Sequence, residues 1–429
     1  MKPFQGAVII IFVLLALFAV FIFATISTNR TTSIGNIVLW GTLPEDMMET
    51  LIRDYGRENP DVKGLSYVEF PEESISASLV EAIASNRGPD LVLLPTREAL
   101  SESDKLIPIS YNSISRRTFQ DSFIEASEVL LTEEGLIGVP FYIDPLVLFW
   151  NRSLFSVAGI PRAPRYWDEI TDIAPRLSRS NQSGTLEQSA VALGEWQNVG
   201  SAKEVLLSLI VGLGNPVIAI NARGEYEATF SNRDNLPTAP AESAVRFFTD
   251  FADPVKTVYS WNRSQPHSRD AFLSGTLAIY FGRASEVISI RAGNPNLNFD
   301  ISAFPEVRGG IPAVPAHLYA LVVPRGSQNP QGALQVANIL SGPGMQRMLT
   351  EATGLPSVRR DTLSVSPENP YETVFRDGAL NAFVFLDPSP AQTDAIFQRV
   401  VESVSSGRLR ISEAIRSGQE ELQALLKVQ

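Results

Sequence analysis

IVLWGT, PEDMMETLIRDYGRENP, LSYVEF, SISASLVEAIASN and DLVLL follow one another between Ile37 and Leu94, and they read as strand, helix, strand, helix, strand. Pro44 suits the first turn of the first helix, and Glu45 and Asp46 complement the positive end of its dipole. Such alternation builds an α/β layer with a largely parallel sheet, whose ligand crevices lie beyond the carboxyl ends of the strands. Those ends are Trp40 to Leu43 and Pro95 to Arg97. At 429 residues the chain exceeds what one core usually supports, so two domains or lobes are expected.

Composition narrows the chemistry. The 47 acidic and 35 basic residues give a net charge of -12 with no basic block, which argues against nucleic acid as a partner. The absence of cysteine removes thiolate nucleophiles, disulfides and sulfur-ligated metals. His267 and His317 form no HExxH-like pair and give little material for a Ser-His-Asp triad, so neither a metal nor another cofactor is expected. Carboxylate-pair chemistry stays formally open, but no poised acid and base can be read from spacing, and the expectation is a protein that is not an enzyme.

The run GAVIIIFVLLALFAVFIFATI, Gly6 to Ile26, is uncharged and long enough for the roughly 20 helical residues that span a bilayer. Residues 1–30 therefore read as an N-terminal transmembrane anchor or, alternatively, as a cleaved signal. The apolar region is longer than the roughly 7–15 residues of a signal, and Ala24 to Ser27 make a poor cleavage site. Either reading exports residues 31–429, with 31–36 as a linker.

Between Arg162 and Asn262, AKEVLLSLIVGL and AESAVRFFTDFA read as helices around a turn-rich stretch. GLGNP, Gly212 to Pro216, lacks the third glycine of a dinucleotide loop and places Pro216 where a helix should open. TLAIYFG, LNFDISAFP and HLYALVVP are strands, and SEAIRSGQEELQALL is the last helix. In VPFYIDPLVLFW, Pro145 limits Asp144 to extended conformations, which suits a crossover between lobes.

In this order the segments VLWGT, GVPFYIDPLVLFWNRSLFSVAGI, YWDEI, FFTDFADP, TVYSWN, AFLSGTLAIYFG, ALVVPRGSQNPQGALQVANIL, GLPSVRRD and SSGRLRISEA resemble the family 1 extracellular solute-binding proteins. These are the substrate-capturing components of ABC importers, a group that includes maltose-binding protein. The resemblance spans about Ile37 to Leu426. It implies a two-lobed periplasmic-binding-protein-like α/β fold, each lobe a mostly parallel sheet flanked by helices. Residues 37–142 and 310–360 would form lobe 1, and residues 143–309 and 361–429 lobe 2. It further implies a monomer that closes by hinge motion on a small solute, most simply a carbohydrate, and delivers it to an ABC permease from the outer side of the membrane. A membrane-tethered sensor or adhesion module with the same fold, and a binder of a phosphorylated or other anionic solute, are the alternatives.

Sugars pair apolar C–H faces with hydroxyl groups, so their sites combine aromatic surfaces with carboxylates, amides and arginines. Carried over through the matching motifs, the ligand-binding candidates on lobe 1 are Trp40, Gly41, Thr42, Thr96 and Arg97, with Tyr142 and Asp144 at the crossover. Lobe 2 offers Trp196, Trp261, Tyr280, Phe281, Gly282 and Arg283, and the returning strand offers His317 and Tyr319. Trp150, Trp167, Phe247 and Phe248 sit at helix or strand spacing and read as core. Arg283 and Ala284 stand where an aromatic often follows the glycine of TLAIYFG, a departure that suits an anion.

Overall fold

The computed structural model describes residues 34–427 apart from 86, 222, 224, 234–237 and 366–368. The apolar run Gly6 to Ile26 lies outside the described residues; among those described, no helix is long and apolar enough to cross a membrane. The strands are β1 (Ile37–Gly41), β2 (Leu65–Glu69), β3 (Leu91–Pro95), β4 (Val139–Asn151), β5 (Arg179–Ser180), β6 (Leu186–Val191), β7 (Ile218–Ile220), β8 (Tyr226–Ala228), β9 (Leu277–Arg283), β10 (Phe299–Ser302), β11 (Val314–Val322) and β12 (Ala382–Phe383). Hydrogen bonding links them in the order β2-β1-β3-β11-β4-β9-β6-β5, with β10 beside β4, β12 beside β11, and β7-β8 as a separate hairpin.

β4 joins two lobes. Its first half, Val139 to Pro145, pairs antiparallel with β11, placing Tyr142 opposite Tyr319 and Asp144 opposite His317. Its second half, Leu146 to Trp150, pairs antiparallel with β9, and Leu148 to Asn151 pair with β10 on the other side. The change of partner falls at Pro145, which has no N–H to donate and so loses nothing there. The Pro145 carbonyl accepts from Ala284 N at 2.9 Å, tying the end of β9 to the crossover. Helix Pro370–Leu380 packs over this point because Gly378 has no side chain: a Cβ there would lie 3.1 Å from the ring of Pro145.

The expectation of mostly parallel sheets needs correction. β1 runs parallel to both β2 and β3, and β6 to β9, but β11 is antiparallel to β3 and to β4, and β4 is antiparallel to β9. The reason is connectivity. A strand that leaves one lobe and a strand that re-enters it must run in opposite directions if they lie side by side, so the inter-lobe strands impose antiparallel pairing on sheets whose outer strands are joined by crossover helices.

In lobe 1, β3 is buried along its whole length, as expected of a strand with helices on both faces. Just before it, the buried carboxylate of Asp90 holds the lobe's two distant segments together. Oδ2 accepts from Val38 N at 3.1 Å, and Oδ1 accepts from Ser327 Oγ at 3.2 Å, Gln328 N at 3.1 Å and Asn329 N at 3.2 Å. The chain that returns through β11 is thereby anchored before helix Pro330–Leu340 begins. Asp90→Ala would leave several of these donors unpaired, and hydrogen bonds to a charged group are worth about 1.5–3 kcal/mol. A loss of about 2–4 kcal/mol is expected, read as a lowered urea midpoint with unchanged far-UV circular dichroism at zero denaturant.

Candidate functional site

The floor of the cleft is the paired segment of β4 and β11. Because side chains alternate across a strand, Tyr142 and Asp144 point to the same face as their partners Tyr319 and His317. The rings of Tyr142 and Tyr319 stack at 4.1 Å with an interplanar angle of 10°. From lobe 1, Thr42 and Thr96 reach this floor from the ends of β1 and β3: Thr42 Oγ1 lies 3.5 Å from the Tyr142 hydroxyl, and Thr96 is buried beside Arg97. From lobe 2, Arg283 reaches it from the end of β9.

One carboxylate ties the three parts together. Glu72, in the first turn of helix Glu72–Ala84 of lobe 1, accepts from Arg97 Nη2 at 2.7 Å through Oε1. Through Oε2 it accepts from the Tyr319 hydroxyl at 2.7 Å and from Arg283 Nη1 at 3.2 Å. Arg283 Nη1 also donates to the Tyr319 hydroxyl at 3.3 Å. Arg97 Nη1 approaches His317 Nδ1 at 3.5 Å, and His317 Nε2 lies 3.8 Å from Glu204 of lobe 2. Groups of the two lobes touch through these contacts, and the cavity between Thr96, Arg97, Glu204, His317 and Asp387 is about 60 Å³. That would hold a few water molecules, against roughly 300–1,000 Å³ for a small-molecule site.

Burial and charge set the protonation states. Burial would raise the Glu72 carboxyl, but Arg283, the Tyr319 hydroxyl and Arg97 together outweigh it and hold the group below the usual carboxylate range. Burial, reinforced by the charges of Arg283 and Arg97, keeps His317 well below the ordinary histidine value, so the ring is neutral at physiological pH. Asp144 is pushed up to about 6 by burial, even though Ser285 N donates to Oδ1 at 3.0 Å and Arg283 lies near. Arg283 is held in its charged form because Tyr319, Glu72 and Asp144 outweigh its desolvation.

Of the residues expected from the sequence, Thr42, Thr96, Arg97, Tyr142, Asp144, Arg283, His317 and Tyr319 come together here. The others do not join them. Trp40 is half-buried and stacks on Phe70 at 4.3 Å, while Gly41 leaves the space through which the Tyr67 hydroxyl reaches the Leu43 carbonyl at 2.7 Å. Trp196 is buried and donates to Asp394 at 3.3 Å. Trp261 is fully buried and donates to Asn198 Oδ1 at 3.1 Å, because the GEWQN and YSWN segments fold against each other inside lobe 2. Phe281 packs against Trp167 and Phe304. Tyr280 lies against Phe149 and Phe272 and donates to Glu286 at 2.9 Å, and any Cβ at Gly282 would run into its ring. Sequence reasoning missed Glu72, Glu204, Ser285 and Glu286. Glu72 follows Pro71 and reads as an ordinary acidic residue at a helix start, so nothing local marks it as facing the cleft.

The molecule is a two-lobed α/β protein with a polar cleft over its inter-lobe strands. More narrowly, a family model described as "Bacterial extracellular solute-binding protein" matches residues 50–370, and the chain belongs to that family, whose description places it outside the cytoplasm. A protein of Brucella abortus (strain 2308) that carries the name of a binding protein is 22% identical over 392 residues, covering 88% of this chain and 87% of that one. Among solved structures, the cyclic alpha-maltosyl-1,6-maltose binding protein of Arthrobacter globiformis aligns with a TM-score of 0.75 at 17% identity, covering 92% of this chain and 99% of that one. The GacH receptor of Streptomyces glaucescens, solved with acarbose, gives 0.71 at 20% identity over 92% and 98%. A solute-binding protein from Thermotoga lettingae bound to alpha-D-tagatose gives 0.68 at 20% identity over 91% and 100%. The structural likenesses establish the fold.

Asp144 makes a pH prediction. A carboxyl raised in the folded state favours its protonated form there, so ionised Asp144 costs stability above about pH 6, and this cost is relieved as pH falls toward the unfolded value of 3.8. Asp144→Asn should remove the dependence. The stability difference between the variant and the native chain is expected to shrink by about 2 kcal/mol between pH 7.5 and pH 4.5, read from urea midpoints at each pH.

Proposed function

We propose that the chain is the receptor of an ABC importer, that it captures a carbohydrate between its lobes and passes it to the permease, and that it does so as a monomer. The observation that carries this reading is the composition of the cleft floor. Tyr142 and Tyr319 are buried and stacked on each other over the strands that join the lobes, so their outer ring faces and hydroxyls would meet a ligand once the lobes part, with Thr42, Arg97, Asp144 and Arg283 as hydrogen-bonding groups from both sides. Such a site pairs the apolar faces and the hydroxyl groups of a sugar at once. The names of the aligned solved proteins, which report tagatose, acarbose and a cyclic maltosyl-maltose as their ligands, support the same substrate class. Binding energy gained only when both lobes touch the ligand stabilises the closed form, the form a permease can distinguish from the open one.

The segment Gly6 to Ile26 is read as an uncleaved anchor that keeps the receptor at the outer face of the membrane. Mass spectrometry of the membrane fraction should find the intact N-terminus; a mature chain starting near Thr28 would refute the anchor.

A thermal-shift panel of mono- and oligosaccharides on residues 31–429 tests the substrate class. A ligand at about 100 times its Kd adds about 2.7 kcal/mol to the folded state and must raise the melting temperature. Arg97→Ala, on the half-exposed wall of the cleft, should weaken sugar binding at least tenfold while changing the stability of the ligand-free protein by less than about 1 kcal/mol. If no sugar shifts the transition, the carbohydrate reading falls.

A further inference from the structure

Glu72 occupies the place a ligand needs. Its carboxylate is shared among donors from three parts of the molecule: Arg97 of lobe 1, Tyr319 of the inter-lobe strand β11, and Arg283 of lobe 2. The cavity on the far side of Arg97, between Thr96, Glu204 and His317, holds only about 60 Å³. Glu72 itself is bonded to groups of both lobes, so a solute the size of a sugar reaches Arg283 and Tyr319 only if the lobes part and this carboxylate gives way.

Which solute can then close the lobes again depends on what the parting leaves behind. Arg97 keeps a second carboxylate, Glu98, at 3.5 Å. Arg283 does not: among the described residues its one ion pair is with Glu72. Asp144 adds a favourable charge but forms no ion pair with Arg283, and the other carboxylate nearby, Glu286, has donors of its own. Asp144 accepts from Ser285 N, and Glu286 accepts from Arg269, from the Tyr280 hydroxyl and from the Arg283 backbone amide. Glu204 faces His317, whose ring is neutral. A neutral sugar wedged at this point would offer hydroxyls to the partly buried guanidinium in place of its one ion pair, and a neutral acceptor binds a charged donor more weakly than a carboxylate does. A carboxylate would restore both the charge and the two-oxygen acceptor that Arg97, Arg283 and Tyr319 already surround.

We propose that the solute is an acidic saccharide whose carboxylate takes the place of Glu72 between Arg283, Tyr319 and Arg97. The inference rests on the carbohydrate reading above and narrows it: Arg283 selects for the acid group, and Glu72 is the internal competitor that the acid group replaces.

Isothermal titration of the full chain in mild detergent with matched pairs, galactose and galacturonate, glucose and glucuronate, and the corresponding disaccharides, tests it. Glucose 6-phosphate serves as a second anion. The uronate of a pair is expected to bind at least tenfold more tightly than its neutral partner. Arg283→Gln should erase that difference, Arg283→Lys should keep part of it, and Glu72→Gln, which weakens the competitor, should tighten uronate binding. Circular dichroism of each variant separates loss of fold from loss of the charge. Neutral sugars that bind as tightly as uronates would overturn the inference while leaving the carbohydrate reading in place. So would an acid preference that survives Arg283→Gln in a folded variant, or a phosphate ester that binds more tightly than the uronates. Failure of every sugar to bind would remove the carbohydrate reading and this inference with it.

Discussion

The antiparallel pairing of β4 with β11 is the constraint on which the rest of the molecule depends. It is the seam along which the two lobes meet, and it fixes which side chains form the cleft floor. A slip of one residue in β4 would turn Tyr142 and Asp144 away from the cleft, and one in β11 would turn His317 and Tyr319 away, so the site exists only in one register. That register is held from both ends. Before Pro145, β4 belongs to the sheet of lobe 1; after it, β4 belongs to the sheet of lobe 2, with Gly378 and Ala284 fitted around the change.

Sequence reasoning recovered this seam because its signals are local. Pro145 limits the backbone of Asp144 to extended conformations between two strand-like runs. Strand ends in an α/β layer converge on one crevice, and Thr42 and Thr96 at the ends of β1 and β3 do lie beside the paired strands. Sequence reasoning failed where the answer lay in distant contacts. Trp196 and Trp261 stand at loop edges in sequence, yet the amide of Asn198 ties their segments into the core of lobe 2. Glu72 is separated from its partners Arg283 and Tyr319 by more than two hundred residues, so no spacing rule could have joined them. The prevalence of antiparallel pairing was hidden for the same reason: the direction of β11 beside β3 follows from the path between lobes and not from its own residues.

The charges of the cleft form one connected set in which each group limits the others. Glu72 stays ionised because two guanidiniums and a phenol face it, and His317 stays neutral because it is buried and those same guanidiniums oppose a third positive charge. Asp144, raised by desolvation more than Ser285 and Arg283 lower it, is pushed up to about 6, close to the physiological range. Acidification therefore acts first on the joint between the lobes and only later on the ion pairs that span them.

Closure by internal ion pairs has a thermodynamic consequence for capture. If Glu72 and Arg283 hold the lobes together, a ligand meets a population that is partly closed against it, and its apparent Kd is its intrinsic Kd divided by the open fraction. Each ~1.4 kcal/mol by which the pair favours closure then weakens apparent affinity about tenfold. The pair is about 30% exposed on its arginine side, so its net worth is modest, on the order of 1–2 kcal/mol after screening by solvent. A bias of that size is enough to raise the threshold for weakly matched solutes, and small enough for a ligand that contacts both lobes to overcome. The same carboxylate that resists poor ligands also keeps Arg97, Arg283 and Tyr319 converged on one point, so a solute able to replace it finds its donors already arranged.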